Sequence, residues 1–393
     1  MKRYLPQIAF LLLFLPTIPG YAQWVAQSSG TTEFLSSVTF LNKNIGLITG
    51  DEGTILKTTN GGNTWNTIAY TSDELFWRVH FQYQDVAWIV GTKGLLLKSI
   101  NQGDTWTDQT FDTTSYLHDI IFVNDSVGWL VGYDGGIWNT SNNGQSWQDR
   151  SINILEDYTE IAFPTDSLAF LVGLNGLLKR STNAGNSWGT INVTTNHIAD
   201  IFFIDEKKGW FCGQNGMLYY SDDAGENWYS KTSGTTEYLQ SLHFLDDSIG
   251  WAIGRNGTIL RTTNGGNTWI TSPSGSSEAL MQTSWVDSAH AWVAGNNGTI
   301  LRYNPITGLF SENESSFSIS PNPTNDQAHI TIEGAHFVEA PRLLNIEGKL
   351  LEGHFEQNDP KSFLFNRNHL PAGIYIIRAY TNLGPTSQRL ILR

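Results

Sequence analysis

Thiols are almost absent from this sequence: Cys212 is the one cysteine in 393 residues. No intrachain disulfide can form, and no cysteine near the N-terminus could carry a lipid anchor. Cys212 lies in "GWFCG", flanked by apolar residues, the setting of a buried, inert thiol. Charge is scarce too, at 15% of residues, and leans acidic, with a formal net charge of −14. A basic face that displaces counterions is missing, which excludes nucleic acid and anionic membrane as partners. No run of like charge stands out, so the acidity reads as ordinary solubility. Beyond the N-terminus no segment reaches the ~18 apolar residues of a membrane span, so no transmembrane segment is expected in the mature chain. Histidines are scattered without a pair at metal-ligand spacing, and no phosphate-cradling loop stands out. No metal and no cofactor are expected.

Glycine and aromatics are plentiful instead: 38 Gly, 15 Trp, and Phe, Tyr and Trp together at 12%. That composition indicates an all-β chain with many turns. Residues 1–22 stand apart as a signal peptide. Lys2 and Arg3 precede the apolar run "IAFLLLFLPTI", and "GYAQ" offers a cut between Ala22 and Gln23.

From Trp24 onward the chain repeats with a period of about 41 residues. Trp recurs at 24, 65, 106, 147, 188, 228 and 269, and Gly recurs at 50, 91, 132, 173, 213, 254 and 295. In six units an apolar residue, and in the seventh Thr283, is followed two positions later by a large ring, as in Val38/Phe40 and Ile120/Phe122. That spacing puts both on one face of a strand, where a neighbouring sheet can bury them. Four short strands per unit and seven units predict a seven-bladed β-propeller over 23–304. The seventh unit lacks its terminal Trp, and "WVAQSSGTTEFL" from Trp24 matches the start of the missing strand. The N-terminal strand is therefore expected to close the last blade, which removes an open edge.

Six units carry Ser/Thr-x-Asn/Asp-x-Gly-x-x-Trp, with Asn60, Asn101, Asn142, Asn183, Asp223 and Asn264 at the third position. These residue types fit a turn: Asn or Asp bonds backbone two residues on, Gly supplies positive φ, and the hydroxyl bridges the hairpin. Five of the six are neutral Asn, a poor choice for Ca²⁺. The motif resembles the Asp-box, or BNR, repeat of sialidase-like propellers. The wider unit resembles the photosystem II assembly and stability factor-like propellers, which implies a non-enzymatic interaction scaffold.

The period stops near Asn304, and 305–316 reads as a polar linker. The segment 317–393 has the alternation and turn spacing of a small β-sandwich. It is similar to the C-terminal sorting domain of type IX secretion substrates, through Pro321-Asn322-Pro323, the Asn345-to-Leu351 stretch, and Leu370-Pro371-Ala372-Gly373 with Tyr375. The resemblance implies the type IX secretion machinery as a partner, and a product that is secreted or attached to the outer-membrane surface.

Positions that repeat serve the fold, so function is sought where units differ. Ser37, Arg78, Asp119, Glu160, Asp200, Ser241 and Gln282 occupy one column of the innermost strand and are expected to line the axial channel. Phe34, Phe76, Tyr116, Tyr158, His197 and Tyr238 precede them and are expected to place aromatic rings at the channel mouth. Together they suggest a protein- or glycan-binding surface, with Phe34, Phe76, Arg78, Tyr116, Asp119, Tyr158, Glu160, Asp200 and Tyr238 as its members. No catalytic residues are assigned. The alternative is a sialidase-like glycoside hydrolase using Asp119, Glu160 and Asp200. Against it, the propeller holds only Arg78, Arg150, Arg180, Arg255, Arg261 and Arg302, and three of these share a column with Lys57 and Lys98.

Overall fold

Alternating apolar residues and glycine-rich turns build nine four-stranded antiparallel sheets in the computed structural model. It describes residues 24–393 other than 111–114, 154, 305–316, 323, 333–336, 345–349, 382–383 and 393. The expected signal peptide and linker lie outside the described residues. The chain divides into two compact units, Met1–Pro305 and Ile306–Arg393.

In the first unit, seven sheets follow one another in sequence order, each a meander of four strands. Blade 3 is typical, with Leu117–Phe122, Gly128–Gly132, Ile137–Thr140 and the short outer strand Gln148–Asp149. In blade 7 the outer strand is Trp24–Gln27, which pairs with Ile300–Tyr303 in the register Trp24↔Tyr303. Trp24 is buried against Trp251, Trp285 and Tyr303. The ring closes as the repeat count requires.

Each of the seven apolar cores of this unit is shared by two adjacent blades. The ring at the end of each first strand packs against the second strand of the preceding blade, and in four blades it stacks on a ring there. Phe40 lies 3.5 Å from Trp292, Phe244 3.8 Å from Trp210, and Phe203 4.7 Å from Phe170. Such pairs add about 0.5–1.5 kcal/mol beyond the area they bury, and so reinforce the contact between blades. Cys212 is fully buried between blades 5 and 6, and burial raises its thiol pKa.

Every first strand carries a β-bulge at one equivalent position, as between Leu35 and Ser37, Phe76 and Arg78, or Tyr158 and Glu160. One extra residue reverses the parity of the strand. Leu35, Val38 and Phe40 therefore all face one core although their spacing is three and then two.

The second unit packs two four-stranded sheets face to face. Ile319, Ile330 and Phe363 from one sheet meet Leu343, Ile377 and Leu390 from the other. Its final hairpin is Gly373–Thr381 with Gly384–Leu392.

Candidate functional site

Three polar systems lie along the propeller axis, and each has a different job. The first is the six Asp-boxes at one end. In the box of blade 6, Thr262 Oγ1 donates to Asn264 Oδ1 at 3.0 Å and accepts from Gly266 N at 2.9 Å. Asn264 Oδ1 also accepts from Thr268 N, and its Nδ2 donates to Thr268 Oγ1. The same set recurs in the other boxes, with Asn227 Nδ2 donating to Asp223 Oδ2 in blade 5. These polar atoms are bonded within the turn itself. Among the described residues no group of three or more His, Cys, Asp or Glu could hold a metal ion.

A basic column belongs to this same end. Lys98, Arg261 and Arg302 sit over the rings of Trp88, Trp251 and Trp292. Lys57 reaches Asp104, Lys98 the Asn143 carbonyl, and Arg180 the Ala224 carbonyl, each in the Asp-box of the next blade. These cations clamp blade to blade.

The second system is the expected channel ring. Ser37, Asp119 and Asp200 are buried, and Arg78 and Glu160 are largely so. Arg78 Nε donates to Asp119 at 2.9 Å, and its Nη2 lies 3.7 Å from Glu160. Burial and the neighbouring Asp200 carboxylate push Glu160 well above the ordinary carboxylate range, and its hydrogen bond to Asp200 favours the protonated form. Burial also raises Asp200. Ring members further accept backbone N–H groups of the following blade: Gln282 from Val38, Ser37 from Val79, Asp119 from Ile161, and Asp200 from Leu242. The structure thus brings together the three carboxylates considered for hydrolysis, and each is already engaged in joining blades.

The third system is the opposite end, the loop face. It is made of the loop leading into each first strand and the turn between second and third strands. The aromatic set expected there needs a correction. Phe76 and Tyr158 are fully buried in inter-blade cores. They pair with Gly91 and Gly173, as Leu35 and Leu117 pair with Gly50 and Gly132, and so belong one residue later than Phe34, Tyr116, His197 and Tyr238. The bulge hides that slip, because counting back by twos from Val79 or Ile161 misses the change of parity. Their blades place Leu75 and Asp157 in the mouth column instead.

Phe34, Tyr116 and Tyr238 do stand at the mouth, with Tyr116 44% exposed. Around them the bulged residues Trp77 and His118 stack at 4.5 Å, and Tyr133 stacks on His118 at 5.3 Å. Phe34 meets Trp77 edge-on. Across the mouth, Tyr238 bonds to His197 Nδ1 and carries the Arg255 guanidinium 5.0 Å above its ring. Burial depresses His197 to about 4 and His118 to about 3, so both are neutral at physiological pH.

A glutamate column at this face escapes the sequence reading. Glu33, Glu74, Glu156, Glu237 and Glu278 each stand two residues before the first core position of a blade. Four of their carbonyls accept from the turn glycine of the preceding blade: Gly53 donates to Glu74, Gly135 to Glu156, Gly257 to Glu278 and Gly298 to Glu33. The same period that aligns Trp and Gly also aligns these glutamates. They are invisible as a run of like charge along the chain, because each sits one or two blades from the next.

Known proteins share this architecture. The family model for photosynthesis system II assembly factor YCF48 matches residues 18–113, 106–197 and 190–271, and that for a secretion system C-terminal sorting domain matches 318–393. Among solved structures, YCF48 bound to D1 peptide is 20% identical with a TM-score of 0.65, covering 73% of this chain and 98% of that one. YCF48 from Cyanidioschyzon merolae is 21% identical with a TM-score of 0.62, covering 72% and 99%. The WD40 propeller domain of Doa1 is 10% identical with a TM-score of 0.60, covering 72% and 98%. No curated protein matches by sequence. The sorting domain marks a secreted or outer-membrane-surface protein, and among the described residues no helix is long and apolar enough to cross a membrane. The chain belongs to the photosynthesis system II assembly factor YCF48 family of propellers and ends in a type IX secretion sorting domain.

Proposed function

We propose that this protein is an exported, non-enzymatic propeller that binds a partner, a protein or an extracellular glycan, through its loop face. The observation that carries the reading is the division of labour between the two ends. Polar groups of the Asp-boxes and the channel ring are bonded within the frame, whereas the loop face presents aromatic side chains that differ from blade to blade. Binding surfaces of this kind are built from aromatic anchors on a rigid scaffold. A related propeller solved with a peptide bound favours a protein over a glycan.

Phe34, Tyr116 and Tyr238 are the proposed contact residues, joined by Trp77, His118 and Tyr133. Phe76, Tyr158 and the Arg78–Asp119–Glu160–Asp200 cluster act through the scaffold that holds them. The test is binding of the mature chain to surface proteins and to a glycan array, with a Trp77→Ala/Tyr116→Ala/Tyr133→Ala variant beside it. Loss of binding with an unchanged melting temperature supports the reading. Undiminished binding by the variant removes the loop face from consideration.

A further inference from the structure

The two faces of the propeller differ in charge. At the Asp-box end Lys57, Lys98, Arg180 and Arg302 of the basic column reach the next blade, and Arg261 lies over Trp251 of its own blade. At the loop face Glu33, Glu74, Glu156, Glu237 and Glu278 form an incomplete ring. Asp51, Glu52, Asp73, Asp134 and Asp157 add to it, against Lys93, Arg150 and Arg255. Lys93 pairs with Glu74, and Lys179 pairs with Glu156 at 3.0 Å. Glu237 and Glu278 accept instead from the neutral amides of Asn256 and Asn297, which leave their charges in place.

Independent features of the same face call for an apolar and cationic occupant. Tyr116, Ile152 and Leu155 are 44%, 49% and 86% exposed in the lead-in loops of blades 3 and 4. Next to Tyr116 is the Trp77–His118–Tyr133 stack, whose Trp77 Nε1 is buried with no partner among the described residues. Arg255 over Tyr238 already shows a guanidinium seated on a ring of this mouth. Aromatic faces bordered by carboxylates are the chemistry that binds Arg and Lys.

We propose that the loop face docks a protein segment in which basic residues alternate with large apolar ones. This rests on the loop-face reading above and names its partner class. Carboxylates on the rim steer and orient the segment, and the aromatic stack with Ile152 and Leu155 takes its apolar side chains.

The test titrates the mature chain with a labelled peptide of Lys and Arg alternating with Leu and Phe. A second peptide has Glu for every basic residue, and a neutral oligosaccharide serves as a third probe. The expected result is binding of the basic peptide alone, weakened about tenfold or more between roughly 50 and 500 mM salt. Glu33→Lys/Glu237→Lys/Glu278→Lys should weaken it about tenfold or more, whereas Asp125→Lys/Asp166→Lys/Glu206→Lys on the other face should leave it nearly unchanged. Circular dichroism confirms that both variants fold. Equal binding of the acidic peptide, or equal loss in both variants, overturns the proposal. Binding of the oligosaccharide alone at the loop face overturns it while sparing the function proposed above. No loop-face binding of any probe or surface protein ends both.

Discussion

The two ends of the propeller are built from one repeat and behave oppositely. At the Asp-box end the box hydroxyls and amides bond within their own turns, and Lys57, Lys98, Arg180 and Arg302 reach the adjacent blade. At the loop face much of that work falls to the backbone, through turn N–H groups that donate to the next lead-in loop. Side chains are thereby released from structural duty at one end and committed to it at the other. A repeat fold can vary its surface only where backbone hydrogen bonds suffice to hold it.

That contrast can be broken by mutation, and the largest effect is expected at the aromatic layer of the Asp-box end. Trp210 is fully buried, stacks on Phe244 and donates to the Gly265 carbonyl. Trp210→Ala should cost about 3–5 kcal/mol in denaturant unfolding, as large-to-small core changes do. Next comes Thr262→Ala, which leaves the Gly266 N–H without its acceptor and should cost about 1–3 kcal/mol. A cost near zero there would mean the boxes are ornamental.

A pH effect probes the ring between the two ends. Native Glu160 releases its proton at a higher pH than the unfolded chain does, where the ordinary value is 4.5. The native state therefore binds more protons above that pH, and stability falls as pH rises toward the raised native value. Glu160→Gln, neutral at every pH and still able to donate to Asp200, should flatten that fall in melting temperature. The acid limb has another origin: His80, His118, His197 and His243 are held down to about 3–4 by burial. Their contribution is present above 6.5 and lost as pH drops toward 4, and it should survive the substitution. The smallest effect belongs to the loop face. Glu237→Lys and Glu278→Lys should each move stability by no more than about 0.5 kcal/mol, checked by the same melts.

Much of the frame was legible because it repeats. Trp65 and its counterparts, the paired glycines and the Asp-box triplets mark every blade, and the unit without a box pointed to Trp24. The channel ring was legible as a column, but its use was not. That Asp119 and Asp200 accept N–H groups from neighbouring blades depends on positions some 42 residues away in sequence. Phe76 and Tyr158 were assigned to the mouth because one bulged residue exchanges the inward and outward faces of a strand. Phe76 and Tyr158 look like surface aromatics until that extra residue is counted.

The pairing of Trp24 with Tyr303 also sets an order of events. Six blades can form from contacts within or between neighbouring units, at short sequence separation. The seventh joins strands at opposite ends of the propeller sequence, a slow, high-separation step. Until Ile300–Tyr303 is available, Trp24 has no strand to pair with and the ring stays an open arc. A chain delivered in part thus remains pliable, and rigidity arrives only with the last strand of the last blade.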